Sequence, residues 1–230
     1  TLFPYTTLFR SESEDIKMDI LETMKARHSV RQYKNQAIES SKREKINALI
    51  KDVNAESKLS IQVFYDEPKC FDSFMAHYGK FENVKNYIAI VGNKNDQEKA
   101  GYYGEKIVLK CQKLGLNTCW VAMTHGKSKA QIKRGQKLLI IISLGYGETQ
   151  GVPHKSKSIA ELGQADQKNE WFEKGMEAVS LAPTAVNQQK FYFELKNGIV
   201  TAKNLGGFYS RIDLGIVKYH FEVVTGHEVK

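Results

Sequence analysis

The sequence predicts an α+β fold, and three observations carry that prediction. Apolar residues recur at helical spacing in some segments, whereas in others they alternate or run continuously as in strands. These two kinds of segment are mixed along the whole chain, with no Pro/Gly/Ser-rich linker between them. The hydrophobic share of 41% over 230 residues is near the globular average and sufficient for a sizeable core. We therefore expect one α+β domain.

The first 17 residues differ in character from this domain. They read TLFPYTTLFRSESEDIK, repeat the triplet TLF and lack an initiator methionine. No cationic stretch precedes their apolar part, so they do not resemble a secretory signal. We interpret residues 1–17 as a non-native or disordered leader and Met18 as the native start. The leader carries a net charge of −1, whereas the whole chain carries +8, so the positive charge belongs to the domain, residues 18–230, which carries +9.

The first part of the domain, residues 18–91, is predicted to hold three helices and two strands. Residues 18–27 have helix-forming composition and lead into a polar arm. Ser40 or Ser41 could cap a second helix, whose apolar face is formed by Ile46, Leu49, Ile50 and Val53. A half-buried strand follows from the alternation of Leu59, Ile61, Val63 and Tyr65. Residues 71–78 form a short helix, and the apolar segment 87–91 predicts a strand covered on both faces.

The second part, residues 101–230, repeats this mixture. A helix over 101–114 ends at Gly115, which can adopt the left-handed conformation. Segments 118–123 and 138–144 are predicted as buried strands, and 171–181 as a helix that stops before Pro183. Alternating aromatic residues from Phe191 onward, followed by Asn197-Gly198, predict a hairpin. A C-terminal helix follows from the stripe of Leu214, Val217, Phe221 and Val224.

Composition and charge exclude some functional classes. No apolar run approaches the roughly 20 residues that a membrane-spanning helix needs. Cys70, Cys111 and Cys119 form no CxxC pair, which argues against a disulfide framework or a metal site and favours a reducing, cytoplasmic compartment. The positive net charge predicts attraction to anions, which include phosphorylated cofactors, nucleic acid and anionic lipid.

Two glycine-containing segments are poor phosphate loops. Gly126-Lys127-Ser128 resembles the end of a P-loop, but Val121 stands where the first glycine belongs. Gly145 and Gly147 follow a strand, yet Gln150 replaces the third glycine of a dinucleotide-binding turn.

Three other segments carry better candidate groups. In Arg27-His28-Ser29-Val30-Arg31, two guanidiniums and a hydroxyl could converge on one phosphate, although the same residues could be an ordinary basic helix end. In residues 182–189, APTAVNQQ, hydroxyl and amide groups suit a heteroaromatic ring, or simply cap a loop. Residues 114–120 are a helix stop and a buried strand, in which Cys119 is expected to be inert.

Together these segments resemble the FMN-dependent nitroreductase family over roughly residues 18–226. The pieces are ARHSVRQY at 26–33, GEKIVLKCQKLGLNTCW at 104–120, LGYG at 144–147 with HKSKS at 154–158, and APTAVNQQ at 182–189. The late position of the last piece resembles the divergent branch named after a thermophile's nitroreductase. The resemblance implies a nitroreductase-like fold, with a central, mostly antiparallel sheet flanked by helices and FMN bound at a homodimer interface.

The resemblance also implies site residues. It places the FMN phosphate and ribityl chain against the arm and the isoalloxazine ring against the 182–189 segment. A basic pair lies near the phosphate, and backbone near Ala122 and Met123 meets flavin N5. The implied cofactor-binding residues are Arg27, His28, Ser29, Arg31, Lys155, Lys157, Pro183, Thr184, Ala185, Asn187 and Gln188. No catalytic side chain is implied, since the flavin carries the chemistry.

The implied function is ping-pong transfer of hydride from NADH or NADPH, through FMN, to a nitroaromatic, quinone or similar small-molecule acceptor. The implied assembly is a homodimer, with a pseudo-dimeric monomer as the alternative because the two arms echo each other. One rival function is a flavin-binding sensor or chaperone without turnover. The other is a basic RNA- or DNA-binding module, which the scattered lysines disfavour. We expect no nucleic-acid or membrane partner.

Overall fold

A computed structural model describes residues 19–230. The leader 1–17 and the predicted start at Met18 lie outside the described residues. Seven α-helices occur in this part of the chain: α1 Ile20–Ala26, α2 Ser40–Ser57, α3 Phe74–Tyr78, α4 Gln97–Lys113, α5 Ile159–Leu162, α6 Glu170–Ser180 and α7 Ser210–Thr225. None of these helices, within residues 19–230, combines the length and the apolar character that crossing a membrane would require.

A four-stranded antiparallel sheet forms the first half of the fold. Its strands are β1 Ser60–Phe64, β2 Asn86–Gly92, β3 Asn117–Val121 and β4 Lys137–Gly145, in the order β1-β2-β4-β3. Every residue of β2 is buried, so the predicted cover on both of its faces is confirmed. The α+β class is confirmed as well.

A second, three-stranded sheet contains β5 Gly163–Ala165, β6 Phe191–Lys196 and β7 Ile199–Asn204, in the order β5-β6-β7. The β6–β7 hairpin turns at Asn197 and Gly198, whose φ angles of 51° and 75° are those a tight two-residue turn needs. The sequence prediction described one sheet, and it missed α5 and the parallel pairing of β5 with β6. Both elements are only three or four residues long, too short for a periodic pattern to reveal.

Helices α4 and α7 connect the two sheets. Helix α4 contacts β2, β3 and β4, whereas α7 contacts β6 and β7, and the two helices pack on each other. A Cβ added at Gly101 would overlap the Ile212 carbonyl, and one at Gly215 would overlap the Glu98 carbonyl. The helices therefore approach backbone to backbone. One cluster of buried side chains includes residues of both sheets and both helices, and it supports the single domain over 18–230, which stays a prediction.

Helix bounds agree with the predicted ones to within a few residues, with one correction at α2. The helix begins at Ser40, and its N-cap is Glu39 rather than Ser40 or Ser41. Its predicted apolar face is correct, since Ile46, Ile50 and Val53 are buried.

Candidate functional site

A cavity of about 580 Å³ opens where four distant segments meet. They are the arm after α1, the end of β3, the turn after α6 and the first two turns of α7, with α3 and the residues after it at one side. The residues that line it include Ser29, Arg31, Met75, Tyr78, Lys80, Cys119, Trp120, Ala122, Met123, Ile140, Pro183, Thr184, Ala185, Val186, Phe208, Tyr209, Ile212, Asp213 and Ile216.

The arm reaches the cavity because it is pinned along β3. Ser29 forms a parallel bridge with Thr118, and the Val30 amide donates to the Thr118 carbonyl at 3.0 Å. The buried Tyr33 hydroxyl donates to the Val30 carbonyl at 2.7 Å and lies 2.7 Å from the Ser143 hydroxyl. This anchoring places Ser29 and Arg31 at the cavity.

The two arginines of the arm diverge. Arg31 is exposed and lines the cavity, with its guanidinium 5.9 Å from the centroid of the Phe81 ring. Arg27 is buried and does not appear among the lining residues. The predicted convergence of both guanidiniums is therefore not seen at the cavity wall.

Arg27 belongs to a buried polar cluster behind Trp120. Its Nε lies 4.0 Å from Oε1 of Glu105, which also lies 3.0 Å from Nε2 of His220. The Trp120 indole donates to the other Glu105 oxygen at 3.0 Å. Burial opposes ionisation, yet His220 and Arg27 hold the pKa of Glu105 below its usual range. Within residues 19–230, Nε and Nη1 of Arg27 are buried without a hydrogen-bond partner.

The end of β3 supplies one wall of the cavity. Trp120, Ala122 and Met123 line it, and the Tyr209 hydroxyl donates to the Ala122 carbonyl at 3.2 Å. Cys119 also lines the cavity, but burial raises the pKa of its thiol. A thiol whose pKa is raised is a poor nucleophile at neutral pH.

The turn at 182–189 has an unusual backbone. Val186, Asn187 and Gln189 have φ angles of 47°, 53° and 46°, in the left-handed region that few residues other than glycine adopt. Pro183, Thr184, Ala185 and Val186 line the cavity.

Asp213 holds this turn from α7. Its carboxylate accepts from the Ala185 amide at 2.9 Å and from Nε2 of Gln188 at 2.7 Å. The same Gln188 nitrogen donates to the Phe208 carbonyl at 2.6 Å. Burial raises the pKa of Asp213 to about 6, although both hydrogen bonds favour the ionised form. A buried carboxyl with a shifted pKa that lines a cavity is typical of a functional site.

The remaining predicted site residues lie outside the cavity lining. Asn187 donates through Nδ2 to the Lys155 carbonyl at 2.9 Å, and the Lys157 ammonium donates to the Gln189 carbonyl at 3.1 Å. These contacts tie the 154–158 segment to the outside of the turn. His28 is half-buried, and burial lowers the pKa of its imidazole.

Several lining residues were missed by sequence reasoning. Asp213 carries a usable signal, since it is the one charged residue in the otherwise apolar segment IDLGIV at 212–217. Tyr209, Lys80 and the α3 residues carry no comparable signal, because only the fold brings them to the cavity. No group of three or more His, Cys, Asp or Glu side chains suited to a metal ion occurs in the described part of the chain.

Comparison with known proteins identifies the family of this chain and proteins that share its fold. The model of the family described as "Putative TM nitroreductase" matches residues 19–225. A crystal structure titled as a putative nitroreductase from Thermotoga maritima MSB8 aligns with a TM-score of 0.65 at 23% identity, covering 92% of this chain and 87% of that one. A second, a putative nitroreductase in complex with FMN from Desulfovibrio desulfuricans, aligns with a TM-score of 0.50 at 15% identity, covering 63% and 95%. These likenesses show a common fold. The search of curated proteins returned no match.

Proposed function

We propose, from the premise that the chain belongs to the nitroreductase family described as "Putative TM nitroreductase", that it is an FMN-dependent oxidoreductase. In this proposal NADH or NADPH supplies the electrons, and a nitroaromatic, quinone or similar electrophile accepts them. The observation that carries the proposal is the cavity. It joins Ser29 and Arg31, Ala122 and Met123, and the turn that begins at Pro183, three segments more than 50 residues apart in sequence.

The residues of the cavity fit FMN. A volume of about 580 Å³ is within the range of small-molecule and cofactor sites. Trp120, Ile140 and Tyr209 offer apolar surface for a flat ring, and Arg31 with Ser29 offers donors for a phosphate. Nε and Nη1 of Arg27, which are buried without a hydrogen-bond partner among residues 19–230, are proposed as further donors. The relative in complex with FMN is consistent with this choice of cofactor.

In this proposal the side chains of the protein bind and position the cofactor and do not themselves react. FMN, when bound, supplies hydride transfer at N5. Arg31 and Ser29 hold the phosphate end, while Pro183, Thr184 and Ala185 face the ring. Asp213 and Gln188 fix the turn. In this scheme Arg27, His28, Asn187, Lys155 and Lys157 support the lining residues from behind. Backbone at Ala122 and Met123 is held near the ring by the Tyr209 hydrogen bond.

Donor and acceptor use the cavity in turn in this proposal. A cavity of about 580 Å³ is of the size that one ligand fills. With FMN resident in the interior, donor and acceptor would both have to reach the flavin from the mouth of the same cavity. NADH or NADPH therefore leaves before the acceptor enters, which is the ping-pong order.

Location and assembly are further parts of the proposal. Three buried cysteines without a disulfide among residues 19–230 are typical of a reducing compartment and support a cytoplasmic location. We propose a homodimer, with a pseudo-dimeric monomer as the alternative. We propose no nucleic-acid or membrane partner.

The test of the proposal is FMN titration of the purified protein, followed by flavin absorbance and fluorescence. Arg31→Ala is expected to weaken FMN binding by roughly 10- to 100-fold, because it removes charged hydrogen bonds to the phosphate. The matched control is Arg134→Ala, an exposed arginine outside the cavity, which is expected to bind FMN as the unchanged protein does.

Turnover is tested on the same sample. NADH or NADPH is expected to bleach the flavin, and a nitroaromatic to restore its absorbance. Protein that circular dichroism shows to be folded but that takes up no FMN would contradict the proposal. FMN uptake without bleaching or reoxidation would replace the enzyme by the sensor alternative.

A further inference from the structure

The cavity has a buried interior and an apolar rim. The interior is lined by buried residues, which include Cys119, Ile140, Pro183, Ile212 and Asp213. The apolar rim consists of five large hydrophobic side chains that line the cavity and yet are exposed: Met75, Tyr78, Met123, Val186 and Phe208. Single exposed apolar side chains are ordinary, but five that line one cavity indicate a binding surface.

Val186 is the most exposed member of the rim and the most strained. Its side chain is 82% exposed, and its backbone has φ 47° and ψ 27°. A β-branched residue in this left-handed region is an outlier that costs on the order of 1–3 kcal/mol. A solvated valine gains nothing from packing that would offset this cost. Such strain persists only where the surrounding structure imposes it, and it is typical of ligand contacts.

The surrounding structure does impose it. On one side of Val186, the Ala185 amide is bound by Asp213. On the other side, Gln188 is bound by Asp213 and by the Phe208 carbonyl. Gln189 donates from its amide to the Thr184 hydroxyl at 3.1 Å, which closes the turn on itself. These contacts fix the turn whether or not Val186 touches anything, so the position of its side chain is built into the fold.

The buried interior and the apolar rim suit two kinds of ligand. A resident cofactor gains most from the buried interior, where desolvation is complete. A molecule that enters and leaves in every cycle meets the exposed rim first. We propose that Val186 is a specificity-determining residue that, with the apolar rim, selects a planar aromatic electron acceptor without positive charge. This inference rests on the proposed function, since it assigns the acceptor end of the same cavity.

The charges at the cavity indicate why the acceptor should carry no positive charge. Arg31 and Lys80 line it, and Lys80 is exposed with no ion-pair partner among residues 19–230. Asp213 is the one carboxylate among the described lining residues, and both of its oxygens already accept hydrogen bonds within the turn. Arg31 is assigned to the FMN phosphate, so a cationic acceptor would meet the Lys80 ammonium and find no free carboxylate among the described lining residues.

A second copy of the chain could also cover exposed apolar side chains. The five rim residues line the same cavity as the buried interior residues Cys119, Ile140 and Asp213. This continuity favours a ligand that enters the cavity, and the test includes the other occupant as an outcome.

The experiment uses FMN-loaded protein and the variants Val186→Gly and Val186→Ala. Glycine tolerates the left-handed backbone, so Val186→Gly is expected to fold and to unfold at the same or a higher temperature. Menadione serves as the planar, uncharged acceptor, and ferricyanide as an acceptor that has no aromatic surface. Both variants are expected to lower kcat/KM for menadione by roughly 3- to 10-fold through a higher KM. Val186→Ala removes both γ-methyl groups that the acceptor would bury, and Val186→Gly removes the whole isopropyl group.

Three results are expected to stay unchanged: FMN affinity, kcat/KM for ferricyanide and the molecular mass in solution. The matched control is Val152→Gly, another exposed valine, which lies outside the cavity and should alter neither acceptor. An unchanged menadione KM would overturn the inference, and so would an equal loss with ferricyanide, a loss of FMN affinity or a change in mass. Failure of the unsubstituted protein to bind FMN would instead defeat the proposed function.

Discussion

Arg27 and Arg31 belong to the same RxSxR pattern, and the sequence predicts the same role for both. In the folded protein, however, they lie in different environments. Arg31 is exposed at the cavity, whereas Arg27 is buried beside Glu105. The RxSxR pattern predicts that both guanidiniums converge on one phosphate, whereas of the two arginines it is Arg31 that lines the cavity. It does not predict which guanidinium faces the cavity, because that depends on where β3 and α4 place Trp120 and Glu105.

At the same scale, Asp213 gives the protein a specific pH dependence. Burial raises its pKa to about 6 in the folded protein. The folded state therefore holds this proton more tightly than the unfolded chain does. The contribution of Asp213 to stability is fully present below about pH 4, and it is lost as pH rises through about 6. Asp213→Asn removes this dependence.

We expect the stability of Asp213→Asn, relative to the unsubstituted protein, to rise by at most about 3 kcal/mol between pH 4 and 7. Loss of the hydrogen bond from Gln188 would also change the free energy of unfolding of the variant, but by an amount that does not vary with pH in this way. Urea unfolding at four or five pH values gives the difference. The control is Asp72→Asn, an exposed carboxylate outside the cavity. A stability difference for Asp213→Asn that does not change with pH would refute the assignment.

At the scale of elements, the turn at 182–189 and the α4–α7 pair decide the shape of the cavity. The turn was predicted correctly as a break after α6, because Pro183 disfavours helix before it. The three left-handed residues in it were not predictable, since none is glycine. They follow from contacts with α7 and the 154–158 segment, which lie elsewhere in the sequence.

The close contact of α4 and α7 yields the element-scale prediction. Alanine in place of a helical glycine ordinarily stabilises a helix by about 1 kcal/mol. At Gly215 the new Cβ would overlap the Glu98 carbonyl of α4. We therefore expect Gly215→Ala to reverse that sign and to lower the free energy of unfolding by at least about 2 kcal/mol.

Denaturant unfolding measures this effect. Val223→Ala, at an exposed position of the same helix, should change stability by less than about 1 kcal/mol. Because Ile212 and Asp213 lie on α7 next to the contact, Gly215→Ala should also weaken FMN binding. A stabilised Gly215→Ala variant would mean that the helices do not approach this closely.

At the scale of the whole molecule, the cavity joins residues from position 29 to position 216. A ligand bound there contacts both halves of the fold, so its binding energy opposes global unfolding. In the proposed function, FMN at about 100 times its Kd should add about 2.7 kcal/mol to the free energy of unfolding. For a chain of this size that corresponds to a rise in Tm of roughly 5–10 °C.

Riboflavin lacks the phosphate of FMN, so a comparison of the two ligands separates the contribution of the ring from that of the phosphate. We expect it to raise Tm less than FMN does, and we expect Arg31→Ala to remove most of the difference between the two ligands. Differential scanning calorimetry or fluorimetry measures both shifts. Equal shifts for FMN and riboflavin on the unsubstituted protein would show that no phosphate site forms at Arg31.

Local sequence patterns were sufficient to predict the α+β class, most helices and strands, and three of the segments that meet at the cavity. These features depend on local periodicity, on glycine and proline, and on short patterns that neighbouring residues carry. Three features became visible only in the folded chain: Arg31 lines the cavity while Arg27 is buried, the strands form two sheets, and Asp213 holds the turn that carries Val186. Each of these depends on contacts between residues far apart in the chain, which determine burial, charge environment and backbone strain, and no local pattern encodes them.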